Sequence, residues 1–430
     1  MKKITPIAAA ALSAALLASC APVDIHLDTS DTADTSVNTL SAEEMRTITP
    51  ELPSPDSDAV ISEGVYTALE DFCTDFLLAA AKKSDGTVNT LSSPLSAYFA
   101  LAMAKEGASG KTLTEMSEVM GDTSTDDIFS LISALTTLEG TELNISNSIW
   151  VDSEFQVKAS FSERLATGYL AEGFGLPLKT AEKQINSYIE EHTNGLIKDM
   201  LSDTALDDAV MAIVNTLYMK ATWQNTFNKE ATHEREFTDA AGNKTQREFM
   251  YKTSTYRVIE DDNCIGVVLP YSDGSLEFVA VMPKDEGAPA SDALASAAKL
   301  GGWAEAAKNG TYERIKLYIP KFEQEFSDSL VDTLTEMGIT SAFDRYSADF
   351  SGIAEDIFLQ DVLQNAVLKL NEDGTEAAAA TVVIAVATSA RPPEEEPRTI
   401  EFNRPFSFAV IHRESGAVLF AGEHNIPVGS

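Results

Sequence analysis

Glu372-Asp-Gly-Thr-Glu-Ala-Ala-Ala-Ala-Thr-Val-Val-Ile-Ala-Val-Ala-Thr-Ser389 holds two opposed local preferences. Ala377, Ala378, Ala379 and Ala380 form the strongest helix-forming tetrad available, whereas Thr381, Val382, Val383, Ile384 and Val386 favour strand. The apolar run over 377–387 is too short to span a bilayer as a helix. Behind it, Arg391-Pro-Pro-Glu-Glu-Glu-Pro397 is stiff, acidic and unable to continue either element. A β-rich segment between two solvated pieces is normally an aggregation hazard, so a chain that keeps one needs a place to put it.

Working outward, the 430 residues are 44% hydrophobic and 23% charged, enough for one large globular body with its own core. The 31 basic and 67 acidic side chains give a formal charge of −36, which argues against nucleic acid and anionic membrane surfaces as partners. Five histidines and three cysteines are scattered without metal-ligand spacing, so no metal and no cofactor is expected. Cys73 and Cys264 need not pair, because a large core requires no disulfide staple.

The N-terminus reads as a bacterial export signal over residues 1–19. Lys2 and Lys3 precede a short alanine-rich apolar core, which ends in Leu17-Ala-Ser-Cys20. That ending resembles the lipobox of bacterial lipoproteins, and the resemblance implies lipidation at Cys20. Residues 20–60 then read as a lipidated, disordered acidic tether. Asp24, Asp28, Asp31, Asp34, Glu43, Glu44, Glu51, Asp56 and Asp58 face one base, Arg46, among Thr, Ser and Pro. A flexible coil of ~40 residues would hold the body ~35 Å from its anchor. The expected location is the exterior, lipid-anchored at the bacterial cell surface or extracellular.

The folded domain is expected over 61–430. Helical periodicity marks residues 65–81, 95–105 (with Ser93 and Pro94 at its start), 112–120, 181–198 and 328–338. Strand patterns cover 143–151, 209–220, 265–270, 276–283, 315–322, 362–370, 406–412 and 418–422. Helices crowd the first half and strands the second, which predicts an α+β fold in one domain. Catalytic templates fail: the chain has no G-x-S-x-G elbow, H-E-x-x-H, Walker A or Rossmann fingerprint. Gly173-Phe-Gly175 has two fingerprint glycines without the third and reads as a turn. The chain is not expected to be an enzyme.

Ten segments resemble the inhibitory serpins, the serine-protease-inhibitor superfamily, in family order. The hinge-like Glu372-Asp-Gly-Thr-Glu-Ala-Ala-Ala-Ala-Thr381 is joined by Ser92-Ser-Pro-Leu-Ser96, the strand 145–150, and Ile185-Asn-Ser-Tyr-Ile189 with Thr193-Asn-Gly-Leu-Ile197. Val214-Asn-Thr-Leu-Tyr-Met-Lys220 with Trp223, Leu317-Tyr-Ile-Pro-Lys-Phe322, and Leu334-Thr-Glu-Met-Gly-Ile339 follow. Ala348-Asp-Phe-Ser-Gly352 and Asn403-Arg-Pro-Phe406 come next, and Phe420-Ala-Gly422 with Pro427 closes the series. The resemblance covers about residues 60–428. It implies the serpin fold: a large central mixed β-sheet with helices around it, smaller sheets, and an exposed reactive-centre loop at about 372–400.

The resemblance also implies a mechanism, in which a protease cleaves the loop, the loop's N-terminal half inserts as a new strand, and the acyl-enzyme is dragged along and trapped. Serpin loop insertion is itself a stock example of strand addition. About 15 residues at ~3.3 Å each carry the protease on the order of 50 Å. Gly374 supplies freedom where the chain bends, and small Thr375, Ala377, Ala379 and Thr381 alternate onto the inner face, with Glu376 outward. Family spacing from Glu372 puts the bait bond between Thr388 and Ser389, beside Val386 and Ala387. Small residues there suit elastase-like or subtilisin-like serine proteases. Arg391 is followed by Pro392, which disfavours a trypsin-like reading.

Ser93, Ser96 and Asn215 are placed by the resemblance in a polar cluster beneath the sheet, with Gln364 where the family has histidine. Glu372 would pair with Lys321 near Trp223. The alternatives are a non-inhibitory serpin-fold binding protein or plain substrate, an inhibitor of cysteine proteases, and a lipoprotein enzyme with a dispersed site. The expected partner set is a protease and a lipid anchor, with the protein itself a monomer.

Overall fold

Two stretches of local sequence logic seat the helices around which the sheets close. Ser93 caps the helix that Pro94 opens, its hydroxyl accepting from Ser96 N, and every residue from Pro94 to Ala104 is buried. A helix apolar on all sides must sit inside a core, and this one lies between the two sheets. Ser124 and Asp127 form a reciprocal capping box that starts a second helix at Thr125, a signal present in the sequence but not read there.

The computed structural model describes residues 46–83, 86–202, 204–207, 209–299, 302–375 and 396–426. In chain order the first half comprises β1 (Arg46–Thr47), α1 (Glu63–Ala81), β2 (Thr90–Ser92), α2 (Pro94–Lys105), α3 (Gly110–Met120) and α4 (Thr125–Thr136), then β3 (Thr141–Asp152), α5 (Ala159–Tyr169), β4 (Ala171–Leu176), α6 (Glu182–His192) and β5 (Met211–Thr222). The second half begins with β6 (His233–Thr238), β7 (Lys244–Glu260), β8 (Cys264–Pro270), β9 (Leu276–Pro283), α7 (Ser291–Lys299) and α8 (Trp303–Lys308). It continues through β10 (Thr311–Pro320), β11 (Phe322–Ser329), α9 (Val331–Met337), β12 (Leu363–Leu370), β13 (Gly374–Thr375), β14 (Thr399–Glu401), β15 (Phe406–His412) and β16 (Val418–His424).

The strands make two sheets. The first is seven-stranded in the order β1-β4-β3-β5-β13-β12-β11, and it is mixed because β3 and β4 run parallel. The second runs β14-β10-β7-β8-β9-β15-β16-β2, with β6 attached to β7. Its β9 and β15 are buried along their whole length, which is why their sequences are mostly apolar, interrupted only by Glu277, Ser407 and His412. Cys73 and Cys264 are buried free thiols, and burial pushes the Cys73 thiol up to about 12. No described helix is long and apolar enough to cross a membrane.

Four expectations from the sequence are corrected. Gly173-Phe-Gly175 lies inside strand β4, not in a turn. Its glycine serves close packing: a Cβ on Gly173 would come within 2.7 Å of both Ile48 and Thr49. Those neighbours belong to the second correction, the tether, whose last part is ordered against the body. Arg46 and Thr47 pair with Gly175 and Phe174, Ile48 N donates to Gly173 O at 2.8 Å, and Asp56 N donates to Ser133 Oγ at 3.1 Å. Composition missed this because the segment docks through backbone hydrogen bonds to a sheet edge rather than by burying a core of its own.

Third, the strand read at 315–322 is two strands in different sheets, β10 and β11, with Lys321 at the crossing. Fourth, the helices at 181–198 and 328–338 are shorter, Glu182–His192 and Val331–Met337. The first of these gives way to a turn at Asn194 and Gly195, both with positive φ. Residues 1–45, which include the export signal and Cys20, lie outside the described residues.

Candidate functional site

The site is the top of the seam between β5 and β12. Among the described residues, β5 pairs with β3 from Met211 to Ala221 and with β13 at Ala221 and Thr222, while β12 pairs with β11 and, at Leu370, with β13. Below Ala221 and Leu370 no described strand pairs with the facing edges of β5 and β12. The two-residue β13 therefore stands between them as the first rung of a strand.

Backbone chemistry explains how it got there. Gly374 has φ +153, and a Cβ on it would lie 2.0 Å from Ala221 O, so no other residue fits at this rung. Thr375 is 2% exposed and turns inward, its hydroxyl 2.6 Å from that of buried Tyr271. Tyr271 stacks on Trp223 with centroids 4.6 Å apart, and burial pushes its phenol up.

The turn that leads from β12 into β13 is held from outside by the segment after β5. Trp223 Nε1 donates to Asn371 O, Trp223 N to Asp373 O and Phe227 N to Glu372 O, each at 2.9 Å. Glu372, 4% exposed, accepts from Thr232 Oγ1 at 2.8 Å and lies 3.4 Å from Lys321 Nζ, which also reaches Glu248 at 3.2 Å. Asp373 pairs with Lys229 at 2.6 Å. Thr232, Lys229, Asp373, Tyr271 and Asn371 were not singled out in the sequence, since their contacts join positions up to about 140 residues apart. A short polar run just after Trp223 was the one local signal.

Lower on the seam, Gln364 grips the start of α2. Ser93 N donates to Gln364 Oε1 at 2.9 Å and Gln364 Nε2 donates to Ser93 O at 2.7 Å, so both ends of the amide are used. Ser96 joins through the Ser93 hydroxyl. Asn215 is hydrogen-bonded elsewhere: its amide donates to Asn147 Oδ1 at 2.6 Å, and Asn147 in turn donates to Tyr169 O. Asn215 Oδ1 is buried and has no partner among the described residues.

On the far side of residues 376–395 the chain is held differently. Residues 399–401 run parallel to β10, and ion pairs join Lys316 to Glu396, Arg398 to Glu260 and Glu313, and Arg235 to Glu401. Glu376, Ala377, Ala378, Ala379, Ala380, Thr381, Val386, Ala387, Thr388 and Ser389 lie outside the described residues. Among the described residues no group of three or more His, Cys, Asp or Glu is placed to hold a metal.

Comparison with known proteins fits this architecture. A family model described as Serpin (serine protease inhibitor) matches residues 67–427. An uncharacterized serpin-like protein of Thermococcus kodakarensis is 32% identical, over 86% of this chain and 88% of the relative. A leukocyte elastase inhibitor of Xenopus laevis is 29% identical, over 85% of this chain and all of the relative. The crystal structure of the thermophilic serpin tengpin in its native state superposes with a TM-score of 0.78 at 30% identity, covering 87% of this chain and 97% of that one. With a mixed central sheet, a second sheet and helices around them, the chain belongs to the serpin family.

Proposed function

We propose that the protein is a suicide inhibitor of serine proteases, in which cleavage of the loop after Thr375 is followed by insertion of its N-terminal part between β5 and β12. The observation that carries this reading is the rung at Gly374–Thr375, already paired to both strands.

Continuing that register downward pairs each inserted residue with one residue on each side. Ala377 would meet Met219 and Leu368, Ala379 would meet Leu217 and Ala366, and all four neighbours are buried. Small inward side chains fit such a floor at little steric cost. Glu376 would face outward between Lys220 and Lys369, where a carboxylate is favoured. Thr381 would arrive between Asn215 and Gln364, its hydroxyl able to satisfy the unpartnered Asn215 Oδ1. Each backbone hydrogen bond nets about 1 kcal/mol, so a strand closing two edges with on the order of ten bonds releases on the order of 10 kcal/mol. That is enough to drive the change irreversibly.

The bait bond is proposed at Thr388–Ser389, with targets of elastase or subtilisin type. Lipidation at Cys20 would tether the inhibitor to a bacterial surface, a reading tested by mass analysis of the mature N-terminus.

Incubation with elastase and with subtilisin, resolved on a denaturing gel, tests inhibition. A heat- and SDS-stable complex at the summed mass supports the proposal. Quantitative loop cleavage without a complex makes the protein a plain substrate or binding protein.

A further inference from the structure

We infer that Asn371 is a positioning residue that sets the register in which the loop inserts. The inference rests on the insertion reading above, and Asn371 differs from the other residues at the turn in how it acts. Its neighbours hold the turn from outside, through Trp223, Phe227, Thr232, Lys229 and Lys321.

Asn371 shapes the turn from within. Its Oδ1 accepts from Asp373 N at 2.9 Å and from Gly374 N at 3.2 Å, while its own N donates to Gly374 O at 3.0 Å. One side chain therefore reverses the chain from β12 into β13 across residues 371–374, and Leu370 ends opposite Thr375. An asparagine side chain that imitates a backbone acceptor is well suited to such a reversal.

The consequence is register. Side chains alternate between faces with a period of two, so a slip of one residue would turn Glu376 inward and Thr375 outward. A slipped strand would put a carboxylate on the floor formed by Leu370, Leu368 and Met219. In a race between insertion and release of the protease, a strand that must search for its register loses time. Asn371 removes that search, because the turn exists before cleavage.

The test compares wild type with Asn371→Ala, Asn371→Asp and a destabilised core control remote from the seam, Leu131→Ala in α4. Aspartate keeps the acceptor and alanine removes it. Two quantities are read with elastase: the ratio of cleaved protein to stable complex, and the rate at which loop-cleaved protein gains heat resistance. The account expects Asn371→Ala to raise the ratio and slow the gain by about fivefold, a change of about 1 kcal/mol at 1.4 kcal/mol per tenfold. Asn371→Asp should stay within about twofold of wild type, and Leu131→Ala should lose stability without moving either quantity.

An Asn371→Ala protein that matches wild type in both quantities overturns the inference, as does an Asn371→Asp protein impaired equally. If wild type forms no complex, the inhibitory reading fails by itself. The rate of gaining heat resistance then still decides the role of Asn371.

Discussion

Residues 372–375 and 396–401 flank residues 376–395 and are held differently, the first between two strands and the second at a sheet edge. The first segment is buried, locked by backbone hydrogen bonds into the middle of a sheet, and aimed down a seam. The second pairs on one side only, Thr399–Glu401 running along the outer edge of β10, and charges near the surface add to the hold: Lys316 with Glu396, and Arg398 with Glu260 and Glu313, the last two pairs 36–38% exposed. Backbone pairing between two strands commits a segment to a direction and a register. Surface ion pairs merely keep a segment in place. Under the proposed mechanism the first end would lead a strand inward, and the second would stay behind after cleavage.

Substitutions at the two ends should therefore differ in kind as well as size. The largest effect is expected from Thr375→Arg, which forces a guanidinium into a site that is 2% exposed. The protease should still cleave the loop at the wild-type rate, but stable complex should fall at least about tenfold on denaturing gels. Gly374→Ala should follow, because its Cβ meets Ala221 O and its φ disfavours any side chain. A loss of about 3 kcal/mol in urea unfolding is expected, together with less complex.

Glu372→Gln ranks third. It removes a buried carboxylate's charge from Lys321 while keeping an acceptor for Thr232, for a loss of about 2 kcal/mol in the same measurement. At the other end Arg398→Ala should cost less than about 1 kcal/mol and leave complex formation intact. An Arg398→Ala protein as defective as Gly374→Ala would erase the distinction between the two ends.

Acid offers the mildest perturbation. Glu396 is held below its ordinary value by Lys316, and Glu260 by hydrogen bonds from Arg398 and Lys284. Carboxylates with a depressed folded value contribute fully above the unfolded value of about 4.5, and that contribution is lost as pH falls through the lower folded value. Protection of the amides at 396–401, corrected for the intrinsic pH dependence of exchange, should therefore fall below about pH 4.5.

Gly374 and Thr375 were legible because their signals are local, backbone freedom in one and small size in the other, and the structure seats both at the rung between β5 and β12. The large strands were legible for the same reason, as dense apolar runs such as that over 278–282. Strand β4 was not, since Gly173 serves packing against Ile48 and Thr49, which are about 125 residues away in the chain. The 17-residue β7 was missed because its exposed and buried positions do not alternate cleanly. Lys229, Asn371 and Asp373 escaped notice because a turn's function lies in what it docks against, and that partner is fixed by the fold. The ordered part of the acidic leader escaped for the complementary reason, a backbone contact that leaves no trace in composition.

The central claim is that cleavage adds a strand between β5 and β12, and hydrogen exchange before and after cleavage of the loop tests it most directly. The account predicts that amides of Ala212 to Lys220 and of Gln364 to Lys369 gain strong protection once the loop is cut, with Thr375 protected in both states. Unchanged exchange along β5 and β12 in fully cleaved protein would contradict it.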